Sequence, residues 1–258
     1  MHEFVTVCER AARAGGQALL DWAGRFSIRE KGPADLVTDA DLASQEAIGR
    51  VVLEAYPEHG YLAEEGADLT GKEGYRWIAD PLDGTTNYVH GVPQFAVSLA
   101  LEQNGALLAA TVFDPVSQEC FTAGSGEGAY LNGRKIRASG CTDLGQALVA
   151  VSFSAKVPRN SPEISAFTEV LLTAQAVRRM GSAALNLAYV AAGRFDACWA
   201  TDTKVWDVAA GILLIREAGG IVTDVSGRDL DLMRPRFLAA STSTLHATLG
   251  GILRPIVG

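Results

Sequence analysis

Apolar residues recur every three to four positions from residue 4 to residue 24, at Phe4, Val7, Cys8, Ala11, Ala12, Gly15, Leu19 and Trp22, which predicts an amphipathic helix. A second helix is predicted from about Asp41 to Tyr56, with Leu42, Ile48, Val51, Val52 and Ala55 on its apolar side, stopping before Pro57. Between them lies the polar turn Lys31-Gly32-Pro33-Ala34-Asp35, followed by Leu36-Val37-Thr38. From Phe95 the period shortens. Phe95 to Leu101 and Leu107 to Phe113, joined through Gln103-Asn104-Gly105, predict a β-hairpin on an Asn-Gly turn. Cys120-Phe121-Thr122 and Gly128 to Leu131 continue the meander, with Asn132-Gly133 as another turn, so this half reads as antiparallel sheet backed by two helices.

After about residue 145 strands and helices alternate. Strands are predicted at Ala147–Phe153, Val177–Met180, Phe195–Trp199, Ile221–Thr223 and Phe237–Ala240. Helices are predicted at Pro162–Gln175, Ser182–Ala192, Asp207–Ala218 and Thr242–Val257. That order implies a second sheet with helices on its faces, and an α+β or α/β fold. Without a repeat or long linker, residues 1–258 read as one domain, its N-terminal αβ half 1–145 and its alternating half 146–258.

Charge narrows the partners. The chain has 22 basic and 30 acidic side chains, a net charge of −8, which argues against nucleic acid or an anionic membrane. An anionic substrate would then need local positive charge, which bound metal ions would supply. No apolar run is long enough to span a bilayer, and the first apolar stretch contains Glu9, Arg10 and Arg13, unlike a signal peptide; the expected location is cytoplasmic. Cys8, Cys120, Cys141 and Cys198 lack paired spacing and read as free thiols. The four histidines show no ligand spacing.

The candidate chemistry lies in Trp77-Ile78-Ala79-Asp80-Pro81-Leu82-Asp83-Gly84-Thr85-Thr86-Asn87. A short apolar strand runs into two carboxylates three residues apart, then a Gly-Thr-Thr turn. Such a pair at a strand's mouth suits two hard divalent cations, one carboxylate bridging and one terminal. The turn can present N–H groups to an anion. The combination points to metal-assisted phosphoryl chemistry; an Asp-rich β-turn with an Asx cap is the ordinary alternative. Three further acidic stretches stand near element ends. Glu64-Glu65-Gly66 also reads as a solvated turn, and Thr38-Asp39-Ala40-Asp41 and Trp206-Asp207-Val208-Ala209-Ala210-Gly211 as helix caps.

Asp80-Pro81-Leu82-Asp83-Gly84-Thr85-Thr86-Asn87 and Trp206-Asp207-Val208-Ala209-Ala210-Gly211 closely resemble the two signature motifs of the inositol monophosphatase family. The resemblance extends to Asp35–Asp41, to Glu64-Glu65-Gly66 and to Gly181-Ser182-Ala183, in order, over nearly the whole chain. It implies a layered αβαβα sandwich of the inositol monophosphatase and fructose-1,6-bisphosphatase type, commonly a homodimer, dependent on Mg²⁺ and often sensitive to lithium. It further implies that Glu64, Asp80 and the Leu82 carbonyl hold one metal ion and Asp80, Asp83 and Asp207 a second. Glu64 would also serve a third, with Glu65 nearby. Donors that are all oxygen fit two or three Mg²⁺, or Mn²⁺.

By the same resemblance, Asp41 and Thr85 form a dyad that activates water beside Glu64. Gly84, Thr85, Thr86 and the helix start at Asp207 would receive the phosphate, and Gly181, Ser182 and Ala183 would line the sugar side. Lys31 could approach metal or phosphate. Animal relatives place a glutamate that binds ring hydroxyls seven residues before the second motif's Asp; here Ala200 occupies that position, so hydroxyl recognition is either lost or moved elsewhere, to Asp202 or Lys204. Asp202 and Lys204 have a spacing similar to that of histidinol-phosphate phosphatases. The implied activity is Mg²⁺-dependent hydrolysis of a small phosphorylated metabolite, with inositol monophosphate leading. The alternatives are histidinol phosphate or another sugar or nucleotide phosphate, and a regulatory protein-binding homologue with weak activity.

Overall fold

The first predicted helix forms over Glu3–Trp22 (α1) and the second over Asp39–Ala55 (α2), two residues earlier than the apolar pattern indicated, because Thr38 caps it. The computed structural model describes residues 3–32, 35–154 and 156–258, and the side chains of 31, 32 and 35 also fall outside the described set. The expectations placed on Lys31 and on Asp35 therefore lie outside the described residues. On either side of residues 33 and 34 the backbone makes a small antiparallel pair, β1 (Ile28–Gly32) and β2 (Asp35–Thr38), where the polar sequence suggested only a turn.

The strands that follow are β3 (Gly60–Ala63), β4 (Asp68–Leu69), β5 (Tyr75–Asp83), β6 (Ala96–Gln103), β7 (Ala106–Asp114), β8 (Glu119–Gly124), β9 (Gly128–Leu131) and β10 (Arg134–Lys135), with one turn of helix, α3 (Thr85–Val89), after β5. They form an eight-stranded sheet in the order β10-β9-β8-β7-β6-β5-β3-β4. The expected Asn104-Gly105 hairpin is present, both residues having positive φ. The sheet is not wholly antiparallel, as the meander suggested: β3 and β5 run parallel. The two-residue β4 turns back along the outer edge of β3, so β5 enters on the other side of β3 in the same direction.

The second half adds β11 (Leu148–Ser152), α4 (Pro162–Thr173), β12 (Ala176–Arg178), α5 (Ala183–Ala191), β13 (Ala197–Ala200), α6 (Val205–Glu217), β14 (Ile221–Asp224), β15 (Phe237–Ala240) and α7 (Ser243–Val257). Its five strands take the order β12-β11-β13-β15-β14. Every predicted element of this half is present, with no end shifted by more than two residues.

Strand alternation sorts the layers. On β5, Trp77 and Ala79 pack with α1 and α2, while Ile78 faces α5 and α6. On β13, Cys198 and Ala200 face the same helices from the opposite side, while Ala197 and Trp199 pack under α4 and α7. The stack is therefore α1α2, large sheet, α5α6, small sheet, α4α7: the five-layer αβαβα sandwich. Helices pressed between two sheets must be apolar on nearly every side. Accordingly, all but one residue of α5 are buried. Burying a side chain such as Leu185 or Leu187 completely contributes roughly 1.5–3 kcal/mol. Cys8, Cys120, Cys141 and Cys198 are free thiols. Among the described residues no helix is long and apolar enough to cross a membrane.

Candidate functional site

A bulge at the end of β5 builds the acidic site. Pairing with β6 runs to Asp80 opposite Ser98 and resumes at Asp83 opposite Ala96, so Pro81 and Leu82 together oppose one residue, Val97. In a regular strand, residues three apart face opposite ways; the extra residue returns Asp83 to the face of Asp80. Pro81 suits the bulge because it has no N–H to lose from the ladder. Ser44 on α2 donates to the Pro81 carbonyl at 2.8 Å, and the Leu82 N–H donates to Asp80 Oδ1 at 2.9 Å. The Asx-type turn and the paired carboxylates are thus one structure.

Gly84 then turns the chain with φ of 100°, and a Cβ there would lie 3.0 Å from the Gln94 carbonyl oxygen, so only glycine fits. Beyond it α3 starts at Thr85. The Thr85 hydroxyl lies 3.1 Å from the Leu82 carbonyl oxygen and 3.4 Å from Asp41 Oδ1. Asp41 is held from its other oxygen, which accepts the Thr38 hydroxyl at 2.6 Å and the Thr38 N–H at 2.8 Å. The capping box of α2 therefore also aims Asp41 at Thr85.

The face shared by Asp80 and Asp83 looks toward α5 and α6. Asp83 Oδ2 accepts the Ser182 hydroxyl at 2.5 Å and the Ala184 N–H at 2.7 Å. Ser182 is at the same time the N-cap of α5. Asp207 sits in the first turn of α6, which begins at Val205 rather than at Asp207, and it accepts the Lys204 N–H at 2.8 Å. Ser98 on β6 donates to the Trp206 carbonyl at 3.0 Å, which fixes this helix start against the large sheet. Gly181, with φ of 85°, leaves no room for a side chain: its Cβ would lie 2.7 Å from the Asn87 amide. That amide donates to the Gln94 and Met180 carbonyls at 2.7 and 2.9 Å, tying α3 to the start of α5.

Like charges crowd here. Burial first, then the charges of Glu64, Asp83 and Asp207, raise the Asp80 carboxyl well above the ordinary value. Burial and then Asp83 do the same to Asp207. Asp83 is pushed up to about 6 by burial, against the opposing bonds from Ser182 and Ala184. Asp41 is also raised, chiefly by burial, with the charge of Glu65 adding to it. Among the described residues, no group of three carboxylates, imidazoles or thiolates already encloses one point as a finished ligand shell. A cation would nonetheless relieve the mutual repulsion of Glu64, Asp80, Asp83 and Asp207, and these donors are all oxygen. The donor chemistry fits Mg²⁺ or Mn²⁺ and disfavours softer metals.

A cleft of about 510 Å³ opens beside these carboxylates, within the usual range for small-molecule sites. Of the anticipated residues, Asp83, Gly84, Thr85, Thr86, Gly181, Ala183, Asp202 and Asp207 line it. Asp41, Glu64, Asp80 and Leu82 do not line the cleft and join the site through hydrogen bonds or charge; Glu65 is connected through its charge on Asp41. Ser182 does not face the cleft, since its hydroxyl is turned onto Asp83. Lys204 is an exposed helix cap, and Thr203 rather than Lys204 lines the cleft. Ala200 is fully buried in the core shared with α5 and α6. Ser152, Phe153 and Arg179 also line the cleft and escaped notice in the sequence. Only Arg179 offered a signal, a basic residue just before the Gly181-Ser182-Ala183 segment.

Comparison with known proteins agrees with this architecture. The family model described as the inositol monophosphatase family matches residues 1–257. The chain is 42% identical over 258 residues to Nus factor SuhB of Pseudomonas aeruginosa, covering 96% of this chain and 95% of that protein. It is 43% identical over 233 residues to inositol-1-monophosphatase of Rhizobium meliloti, covering 90% and 88%. Its structure matches the extragenic suppressor protein suhB of Bartonella henselae with a TM-score of 0.93 and 38% identity, over 98% of this chain and 99% of the other. An IMPase/NADP phosphatase solved with Mg²⁺ and phosphate matches with a TM-score of 0.82 and 25% identity, over 92% and 89%. The chain belongs to the inositol monophosphatase family.

Proposed function

We propose that this protein is a Mg²⁺-dependent phosphatase of a small phosphomonoester, with inositol monophosphate the leading substrate. The observation that carries the reading is the convergence of Asp80, Asp83 and Asp207, with the charge of Glu64, beside a cleft that also contains Thr85. Glu64, Asp80 and the Leu82 carbonyl would hold one ion, and Asp80, Asp83 and Asp207 another. When bound, the ions neutralise phosphate charge and lower the pKa of the attacking water.

The remaining work falls to the chain's own groups. The Thr85 hydroxyl orients the water that attacks phosphorus, accepting its hydrogen bond while donating toward Asp41 Oδ1. Asp41, raised above the ordinary carboxylate value, is suited to take up a proton through that contact. First-turn N–H groups of a helix lack intrahelical acceptors, so those beside Gly84, Thr85 and Thr86 are available to phosphate oxygens. Water oxygen forms the new bond to phosphorus as the ester P–O bond breaks, and the departing alkoxide takes a proton. No covalent enzyme intermediate is needed.

The name of the Pseudomonas aeruginosa relative, Nus factor SuhB, favours a second reading. In it, the protein acts through contacts with other proteins and its phosphatase activity is weak. A phosphate-release screen separates the two, run with and without Mg²⁺ on inositol monophosphates, histidinol phosphate, fructose 1,6-bisphosphate, adenosine 3′,5′-bisphosphate and NADP. Turnover that requires Mg²⁺ is expected. Its absence on every compound would transfer the weight to the regulatory reading.

A further inference from the structure

Several structures wall the cleft, and two of them bear on what it can bind. The bulge of β5 and the turn into α3 supply one, with its carboxylates and phosphate-facing turn. The other comes from the ends of β11 and β12, where Ser152, Phe153 and Arg179 line the cavity. Among the described residues lining the cleft, Arg179 is the one cation. Its guanidinium lies over the Phe153 ring, 5.6 Å from the centroid. Phe153 is held in turn by an edge contact with Phe167 of α4, 5.7 Å between centroids. Stacking on a ring fixes the plane of a guanidinium while leaving its N–H edge free. Among the described residues, Arg179 has no hydrogen bond or ion pair, so that edge is uncommitted even though Asp202 borders the same cleft.

Ser152 adds a second donor to this wall. Its Oγ accepts from the buried Asn186 side-chain amide at 3.2 Å. Ser152 also lines the cleft, where its hydroxyl can turn toward a bound acceptor. A cation with its donors free and a hydroxyl donor on one wall form a receptor for an acceptor group. An arginine fork matches a carboxylate or phosphate in particular. In a protein of net charge −8, such a cation is also the group that makes entry of a second negative charge tolerable.

We propose that Arg179, assisted by Ser152, selects phosphomonoesters whose far end carries a second anionic group, carboxylate or phosphate. This rests on the phosphatase reading and ranks substrates within it. Arg179 is a specificity residue, separate from the groups that act on the scissile phosphate.

The test uses three series of alkyl phosphates with three to six carbons, ending in carboxylate, hydroxyl or amine. The ratio of kcat/KM for the carboxylate over the hydroxyl tail is measured with Mg²⁺ in wild type, Arg179→Lys, Arg179→Met and Arg179→Glu. Arg179→Met should lower that ratio about tenfold, mainly through KM, as expected for loss of one charge-assisted contact. Arg179→Lys should keep part of the preference, and Arg179→Glu should turn it toward the amine tail, a change that loss of packing alone does not produce. An unchanged ratio at every chain length in Arg179→Met overturns the proposal. Dissociation constants for the same compounds, measured by calorimetry with Mg²⁺, distinguish the two levels of failure. Selective binding that depends on Arg179 without phosphate release would remove the phosphatase reading and keep this one. Phosphate release with no dependence of selectivity on Arg179 would do the reverse.

Discussion

Replacing Ser182 with alanine removes one oxygen that serves both halves of the chain. Ser182 is 1% exposed; its Oγ donates to Asp83 Oδ2 at 2.5 Å and accepts the Leu185 N–H at 3.1 Å. Loss of the cap costs about 1 kcal/mol. Loss of a hydrogen bond to a buried carboxylate costs about 1.5–3 kcal/mol. The Ala184 N–H stays on the same oxygen at 2.7 Å, so Asp83 is not orphaned and the total should stay near 3 kcal/mol, an order-of-magnitude figure. Ser182→Gly separates the two contributions, because glycine at an N-cap loses only a few tenths of a kcal/mol relative to serine. Glycine should therefore lose roughly 2 kcal/mol and alanine roughly 3. Urea unfolding of the metal-free proteins measures both. If Ser182→Ala unfolds within about 0.5 kcal/mol of wild type, the Ser182–Asp83 contact does not join the halves and the reasoning fails.

Two other perturbations follow from the same geometry. Gly181→Ala forces a side chain onto a left-handed backbone and against Asn87; a loss of about 3 kcal/mol and a fall in kcat/KM are expected, and unaltered thermal unfolding would count against the packing described. His246 lies 3.0 Å from the Thr223 hydroxyl, and burial, then the charge of Arg254, lower its pKa below the usual imidazole value. Its folded pKa is depressed, so its contribution to stability is complete above the unfolded value near 6.5 and is lost as pH falls through the folded value. Between pH 7.5 and 5.5, wild type should lose more stability than His246→Gln; a difference that does not change with pH would refute it.

The closeness of Asp80 and Asp83 was legible because two carboxylates three residues apart stand where an apolar strand meets a turn; the bulge that returns both to one face was not. The helices were legible from their apolar spacing. Less visible were β3 and β4, too short to show a period, and the parallel β3–β5 pair, which depends on where the chain crosses. The Asp83–Ser182 bond joins residues 99 positions apart, which no local pattern encodes. Ser182 itself looked like a substrate-side residue, and only the packing of α5 against the large sheet shows what its hydroxyl meets. Ser152 and Arg179 reach the cleft through the order of the small sheet, a tertiary fact. Ala200 was legible as a missing acceptor, and the fold adds that its methyl group belongs to the core.

The proposed function requires that the carboxylates gathered around Asp80 bind a divalent cation on which phosphate release depends. Calorimetric titration of Mg²⁺ into wild type and Asp80→Asn tests this most directly, with circular dichroism to verify that the variant is folded. Saturable binding to wild type is predicted, with a loss of affinity in the variant at least as large as the roughly 10–100-fold that an outer-sphere partner costs. Equal binding by the two proteins, or phosphate release by a wild type that binds no Mg²⁺, would contradict it.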